Sequence, residues 1–193
     1  MPVNQVYKAT GEKIIDISDS TVTAETLAEG VTAYNAAGEQ ITGTMQGGLD
    51  VNIKFSGDSN IIPDNALKSA KFSGAIVISD RILSIGDSAF YSCSGLTSVT
   101  IGNSVTTIGG SAFTLCTSLT SITIPSSVTT IGAFAFYLCI WLTSITIPSS
   151  VTTIGGDAFS GCSNLTTITI DKPQDSVSGA PWGATNATVV WTG

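Results

Sequence analysis

Between Leu96 and Leu165 one apolar–polar pattern is written several times at a spacing of 23 residues. Each copy opens on a leucine, at Leu96, Leu119, Leu142 and Leu165. It continues as an alternation whose apolar members are Val99 and Ile101, Ile122 and Ile124, Ile145 and Ile147, and Ile168 and Ile170. Period-two alternation over so few residues predicts a strand buried on one side and wet on the other. Val105, Val128 and Val151 follow, then Ile108, Ile131 and Ile154 directly before glycine, then Ala-Phe pairs at 112–113, 135–136 and 158–159. A cysteine, Cys93, Cys116, Cys139 or Cys162, closes each copy. Self-similarity at a short fixed period predicts a solenoid, because one coil cannot bury its own Ile, Phe and Leu side chains and the next coil can. The stretch around each Ala-Phe pair is expected as a helical or 3₁₀ turn.

The register extends upstream in degenerate form. Ile53 and Phe55 fall one period before Ile76 and Ile78, Ile62 before Ile85, and Ala66-Leu67 before Ala89-Phe90. Residues 49–72 are therefore expected to be an N-capping repeat, whose Asp50, Lys54, Asp58, Asp64, Lys68 and Lys71 suit an outer face that inner coils lack. At the other end, residues 171–193 are expected to be a C-terminal cap, with Val189, Val190 and Trp191 as a last strand over Ile168 and Ile170, and Trp182 folding across the open end. Residues 1–48 read as a separate small module. A hairpin is expected from Val6 to Ile17 around Thr10-Gly11, and a short helix, Ala24 to Glu29, capped by Thr23 and stopped by Gly30. Strands Val31–Tyr34 and Gln40–Met45 flank the turn at 35–38, and Gln46-Gly47-Gly48 is a linker. The expected class is an α+β repeat: a solenoid of about five coils with a C-terminal cap, behind a small hairpin and short-helix module.

The string LTSITIPSSVTTIGxxAFxxCxxL resembles the BspA-like leucine-rich repeat, closely over residues 73–170. That resemblance implies a solenoid with a strand on one face and a helical or 3₁₀ segment elsewhere, and a bacterial cell-surface adhesin as one setting. The final segment, SGAPWGATNATVVWTG, is similar to the piece that commonly ends such arrays. Residues 21–45, TVTAETLAEGVTAYNAAGEQITGTM, resemble the short module that precedes variable domains in phage and prophage tail, fibre and baseplate-associated proteins. This second resemblance implies a virion setting in which residues 1–48 attach to other virion proteins.

Charge narrows the function. Only 11% of residues are charged, the net charge is −7, and no charged side chain lies between Ser88 and Gly156. Seven scattered Lys and Arg cannot neutralise a run of phosphates, which argues against a nucleic-acid partner. No apolar run approaches the roughly 20 residues that span a bilayer, so no membrane insertion is expected. The N-terminus lacks the basic-then-apolar shape of a secretory signal, so an extracellular role is expected to be reached as a mature fragment or inside a particle assembled in the cytoplasm.

There is no histidine, hence no Ser-His or Cys-His pair and no general base near neutral pH. Asp157 is the sole carboxylate between Asp87 and Asp171, which leaves no glycosidase pair inside the array. No phosphate-binding loop and no CxxC occurs, so neither cofactor nor metal is expected. The four cysteines, evenly spaced at one repeat position, are expected to be buried free thiols acting as small hydrophobes.

The third copy departs from the others. Phe134 stands where the rest have Ser88, Ser111 and Asp157, and Tyr137 where two have Thr114 and Ser160. Ile140 replaces Ser94, Thr117 and Ser163, and Trp141 replaces Gly95, Ser118 and Asn164. Positions that accept Ser, Thr, Asp and Gly face solvent, so these four apolar side chains are expected outside the core, as a ligand-binding edge. Tyr91 and Leu115, taken as equivalent positions of neighbouring copies, are expected to lengthen it. Rings beside uncharged hydroxyls suit the apolar face of a sugar and a partner protein equally. Alternatively the N-terminal hairpins or a second subunit cover the edge. On the main strand, Ser98 and Thr100, Ser121 and Thr123, Ser144 and Thr146, and Thr167 and Thr169 are expected to form two hydroxyl columns, able to meet a periodic surface or merely the polar half of an amphipathic strand. The expected function is non-enzymatic: a virion component, homo-oligomeric, recognising a protein or glycan on a host cell surface. The alternatives are a bacterial cell-surface adhesin and a structural spacer.

Overall fold

The computed structural model describes residues 60–70 and 74–193 in full and, before them, the backbone of five strands. These are β1 (Gln5–Tyr7), β2 (Lys13–Asp16), β3 (Thr32–Tyr34), β4 (Gln40–Thr42) and β5 (Lys54–Phe55). They form one antiparallel sheet in the order β4-β3-β1-β2-β5. The two expected hairpins are present, with Val6 opposite Ile15 and Ala33 opposite Ile41. The helix expected at 24–29 and the two turns at 10–11 and 35–38 lie outside the described residues. One strand differs from the expected register. Instead of lying one coil before Ile76 and Ile78, Phe55 sits opposite Ile15 on β2. An edge strand offers a row of unpaired N–H and C=O groups, and even a two-residue partner satisfies some of them.

From Ile61 the chain winds as a solenoid of about 6 turns with coils of about 23 residues. One face carries the longer strands β7 (Gly74–Val77), β9 (Leu96–Thr100), β11 (Ser121–Thr123), β13 (Ser144–Ile147), β15 (Thr167–Ile170) and β16 (Thr188–Trp191). A second face carries two-residue strands, β6 (Ile61–Ile62), β8 (Ser84–Ile85), β10 (Thr107–Ile108), β12 (Thr130–Ile131) and β14 (Thr153–Ile154). All pairing in the solenoid is parallel and in register, so Ile85, Ile108, Ile131 and Ile154 line one buried column. The second face is one continuous sheet, whereas the first divides into β7-β9-β11 and β13-β15-β16. Beside that division Ile122 and Ile124 are each 8% exposed, against 0–3% for the equivalent side chains of the coils on either side.

Among the described residues, the segment around each Ala-Phe pair is a run of turns and not the expected helix or 3₁₀ segment. The cause is visible in the hydrogen bonds. The N–H groups of Ser88, Phe90 and Ser92 donate across to the carbonyls of Gly110, Ala112 and Thr114 in the next coil, at 2.8, 2.8 and 2.7 Å. Those in between, on Ala89, Tyr91 and Cys93, donate locally to Gly86, Ser88 and Phe90 at 3.3, 3.0 and 3.2 Å. A helix would send every N–H back along its own chain and leave the coils unjoined here. The alternation is made possible by two left-handed residues four apart in each coil: Asn65 and Ser69, Ser88 and Ser92, Ser111 and Leu115, Phe134 and Leu138, Asp157 and Gly161.

The core is built in columns. Phe90, Phe113, Phe136 and Phe159 stack with centroids 5.0, 5.6 and 5.5 Å apart and rings within 6° of parallel. Trp182 occupies the next place in this column, buried, and turns its ring 72° to Phe159. A perpendicular ring presents its edge to the last stacked face and ends the series, while its Nε1 donates to the Ser178 carbonyl at 2.8 Å. The expected last strand is also found, with Val189 opposite Ile168 and Trp191 opposite Ile170.

All four cysteines are free and buried. Each thiol donates to a carbonyl one coil back, Cys93 to Leu67, Cys116 to Phe90, Cys139 to Phe113 and Cys162 to Phe136, at 3.1–3.2 Å. Cysteine therefore supplies both a small apolar volume and a weak donor at this place. Glycine after the β10, β12 and β14 isoleucines has a different cause, the approach of the coil beneath. A Cβ on Gly132 would lie 2.5 Å from the Gly110 nitrogen, and one on Gly155 2.2 Å from the Ala133 nitrogen.

Two measurements check this packing. Urea denaturation of Phe136→Ala is expected to show a loss of about 3–5 kcal/mol, as for an aromatic removed from a closed core, and Gly155→Ala a clear loss as well. The second concerns pH. Burial pushes the Cys93 thiol up to about 12 and that of Cys162 to about 11, from an ordinary 9.0, and raises those of Cys116 and Cys139 too. The unfolded chain therefore loses thiol protons first, so stability should be flat below about pH 9 and fall as pH rises towards 11–12. The fall should be smaller in a Cys93→Ala, Cys162→Ala double variant.

Candidate functional site

The outer columns are set by the same register as the inner ones, so a side chain's exposure follows from its place in the coil. Phe134 is 43% exposed and Trp141 56%, as their outward columns require. Tyr137 and Ile140 are half-buried. Phe134 and Tyr137 meet edge to face, with centroids 5.9 Å apart and planes at 85°. Among the described residues no ring pairs with Trp141, which lies with Ile140 at the corner leading into β13. The Ile140 carbonyl there accepts from Asn164 Nδ2 at 2.6 Å. The structure thus joins two of the four expected site residues into one corner and holds the other two at the next bend of the same coil.

Phe134 is held firmly by its backbone. Its N–H donates to the Gly156 carbonyl at 3.1 Å, and its carbonyl accepts from the Tyr137 N–H at 3.0 Å and from Thr114 Oγ1 at 2.7 Å. Its φ is +56°, in the left-handed region. The same column carries Asn65, Ser88, Ser111 and Asp157, small polar residues that reach this conformation more readily. Phenylalanine is thus the poorer choice for backbone strain and for exposure alike.

The two outlying residues fare differently. Tyr91 is half-buried, and the Lys68 ammonium lies 4.9 Å from its ring centroid, so one partner within the chain already uses that ring. Leu115 is not the equivalent of Tyr91, because the register places it with Ser92, Leu138 and Gly161, one residue further on. Thr114 occupies the Tyr91 place, buried and bonded to Phe134. That column adds a residue the sequence reading passed over. Leu138, left-handed at φ +58° and half-buried, lies against Gly161, where a Cβ would come within 2.6 Å of Leu138 Cδ2. Its signal was the one used for Phe134, a large apolar residue where other coils have Ser92 and Gly161.

The edge is uncharged. Asp157 follows Phe134 in its column, but its carboxylate leans on towards the next coil, where a Cβ on Gly183 would be 2.9 Å from Oδ1. The hydroxyl columns pair as expected within each half, Ser98 with Ser121 and Thr100 with Thr123, then Ser144 with Thr167 and Thr146 with Thr169. They run in two blocks and not as continuous columns, because the sheet divides between β11 and β13. Among the described residues no group of His, Cys, Asp and Glu could hold a metal, and no helix is long and apolar enough to cross a membrane.

Residues 60–180 match the model of the BspA type leucine rich repeat region, in 6 copies. A leucine-rich repeat protein from Bacteroides ovatus is 32% identical with a TM-score of 0.51, over 56% of this chain and 34% of its own. The pneumococcal vaccine antigen PcpA, 22% identical with a TM-score of 0.55 over 64% of this chain and 29% of its own, shares the fold. A leucine rich repeat protein of T. pallidum is 24% identical with a TM-score of 0.49, over 72% of this chain and 54% of its own. This chain therefore spans between a third and about half of the length of such relatives. No curated protein matches. Residues 21–45 lie outside the matched range, and nothing supports their resemblance to phage modules.

Phe134→Asn tests the strain directly. Asparagine is at home in the left-handed region, so the variant is expected to gain roughly 0.5–1 kcal/mol in urea denaturation, where most substitutions destabilise.

Proposed function

This chain belongs to the BspA-type leucine-rich repeat family, and from that premise we propose that it is a non-enzymatic module recognising a cell surface through the apolar edge of its third coil. The observation that carries the reading is Phe134: exposed, left-handed, and pinned by three backbone hydrogen bonds in a column where polar residues would be more stable. An apolar ring kept at such a place gains nothing for the fold and offers a rigid contact to a partner. Tyr137, Leu138, Ile140 and Trp141 widen the contact along the coil, while Tyr91 and Leu115 stand at its margin.

Two settings use the same edge. In a virion component, residues 1–48 would attach to other virion proteins and the solenoid would meet the host. In a bacterial cell-surface adhesin the solenoid would extend from the envelope. The virion setting rests on residues 21–45 alone, whereas the B. ovatus relative is a bacterial protein, and the adhesin is the setting we carry forward. In either, several copies held together would turn weak single contacts into durable attachment.

The test is adhesion of the purified chain to whole cells. A Phe134→Ser, Trp141→Ser double variant, which restores residues found at the same places in other coils, is expected to keep its fold and lose binding about tenfold or more. Undiminished adhesion by a folded double variant would contradict the proposal.

A further inference from the structure

The edge narrows its own ligand. Resting on the reading above, we propose that the Phe134–Tyr137 corner takes a neutral saccharide unit of a cell-surface polysaccharide. Two rings at 85° and 5.9 Å make a wall and a floor, and the apolar C–H face of a pyranose packs on such rings. Around the corner the same columns supply hydroxyls, Ser111 one coil before Phe134 and Ser160 one coil after Tyr137. A sugar offers the same mixture of C–H faces and hydroxyl groups.

Charge argues against an ionic ligand. No Lys or Arg lies between Ser88 and Gly156, so an acidic polysaccharide would lose water around its carboxylates or phosphates and find no counter-charge. Asp157, the one carboxylate nearby, would repel it.

Height argues against a protein. A stable protein interface takes about 800 Å² from each partner and some 20–30 residues a side. Here the apolar edge is essentially one coil tall. Above and below Ile140 and Trp141 the columns return to Thr117, Ser118, Ser163 and Asn164. A narrow apolar anchor between ranks of hydroxyl and amide groups fits one sugar unit of a polymer.

The test uses the full chain against a panel of neutral and acidic oligosaccharides by calorimetry, beside adhesion to cells treated with periodate or with protease. Expected is binding to a neutral oligosaccharide that weakens about tenfold or more in Phe134→Ser. It should be unchanged between about 0.05 and about 0.5 M salt, since no exposed ion pair is there to be screened. Adhesion should be lost after periodate and kept after protease. Adhesion lost after protease but kept after periodate, or binding to acidic oligosaccharides alone, would overturn the saccharide while leaving surface recognition in place. Absence of adhesion to any cell would overturn both. Phe134→Ser reproduces the residue of two other coils at this position, so it is expected to fold, and its denaturation midpoint verifies that.

Discussion

Every coil of this chain must lie one strand spacing from its neighbours along its whole circumference, and that distance governs the rest. It fixes glycine at 132 and 155, where a Cβ would meet backbone. It selects a turn in which alternate N–H groups cross to the next coil, and so it places two left-handed residues in every turn. Aromatic rings stacked 5.0–5.6 Å apart and thiols that donate one coil back fit the same spacing. The hydrophobic effect makes stacking favourable, but backbone proximity decides which residue each column accepts.

Fixed columns separate inside from outside without ambiguity. Inner columns hold Phe, Ile, Leu, Ala and Cys in coil after coil, and outer columns hold Ser, Thr, Asn and Asp. A large apolar side chain in an outer column therefore cannot be explained by the core. Phe134 and Leu138 stand out further, since both occupy left-handed positions that glycine, serine or asparagine fill elsewhere. The third coil concentrates such departures, and the main sheet divides between it and the coil before. The binding reading rests on that concentration in a stretch free of charge.

The inner columns were legible in the sequence because apolar periodicity is a direct image of burial. Trp182 falls 23 residues after Phe159, and its burial follows from that spacing. The turns were not legible. Ala112, Phe113, Cys116 and Leu119 have the spacing of a helical stripe, and the crossing hydrogen bonds that exclude a helix involve backbone groups the sequence does not display. Serine at 88, 92 and 111 conceals a left-handed position that glycine would have advertised. Leu138 went unnoticed because Leu115 repeats it, and Leu115 was displaced by one residue for lack of a fixed register in that turn. Phe55 fits the repeat spacing yet pairs with β2, since a two-residue strand carries too little pattern to choose its partner.

The account claims that column position decides both which rings reach solvent and which of them a cell surface covers. Hydroxyl-radical footprinting of the chain, free and bound to cells, reads both at once. Phe134, Tyr137 and Trp141 are expected to oxidise in the free chain and to be protected on cells, with Phe113 and Phe136 unmodified throughout. Oxidation of the three that is equal in the free and bound chain, or their resistance in the free chain, would contradict it.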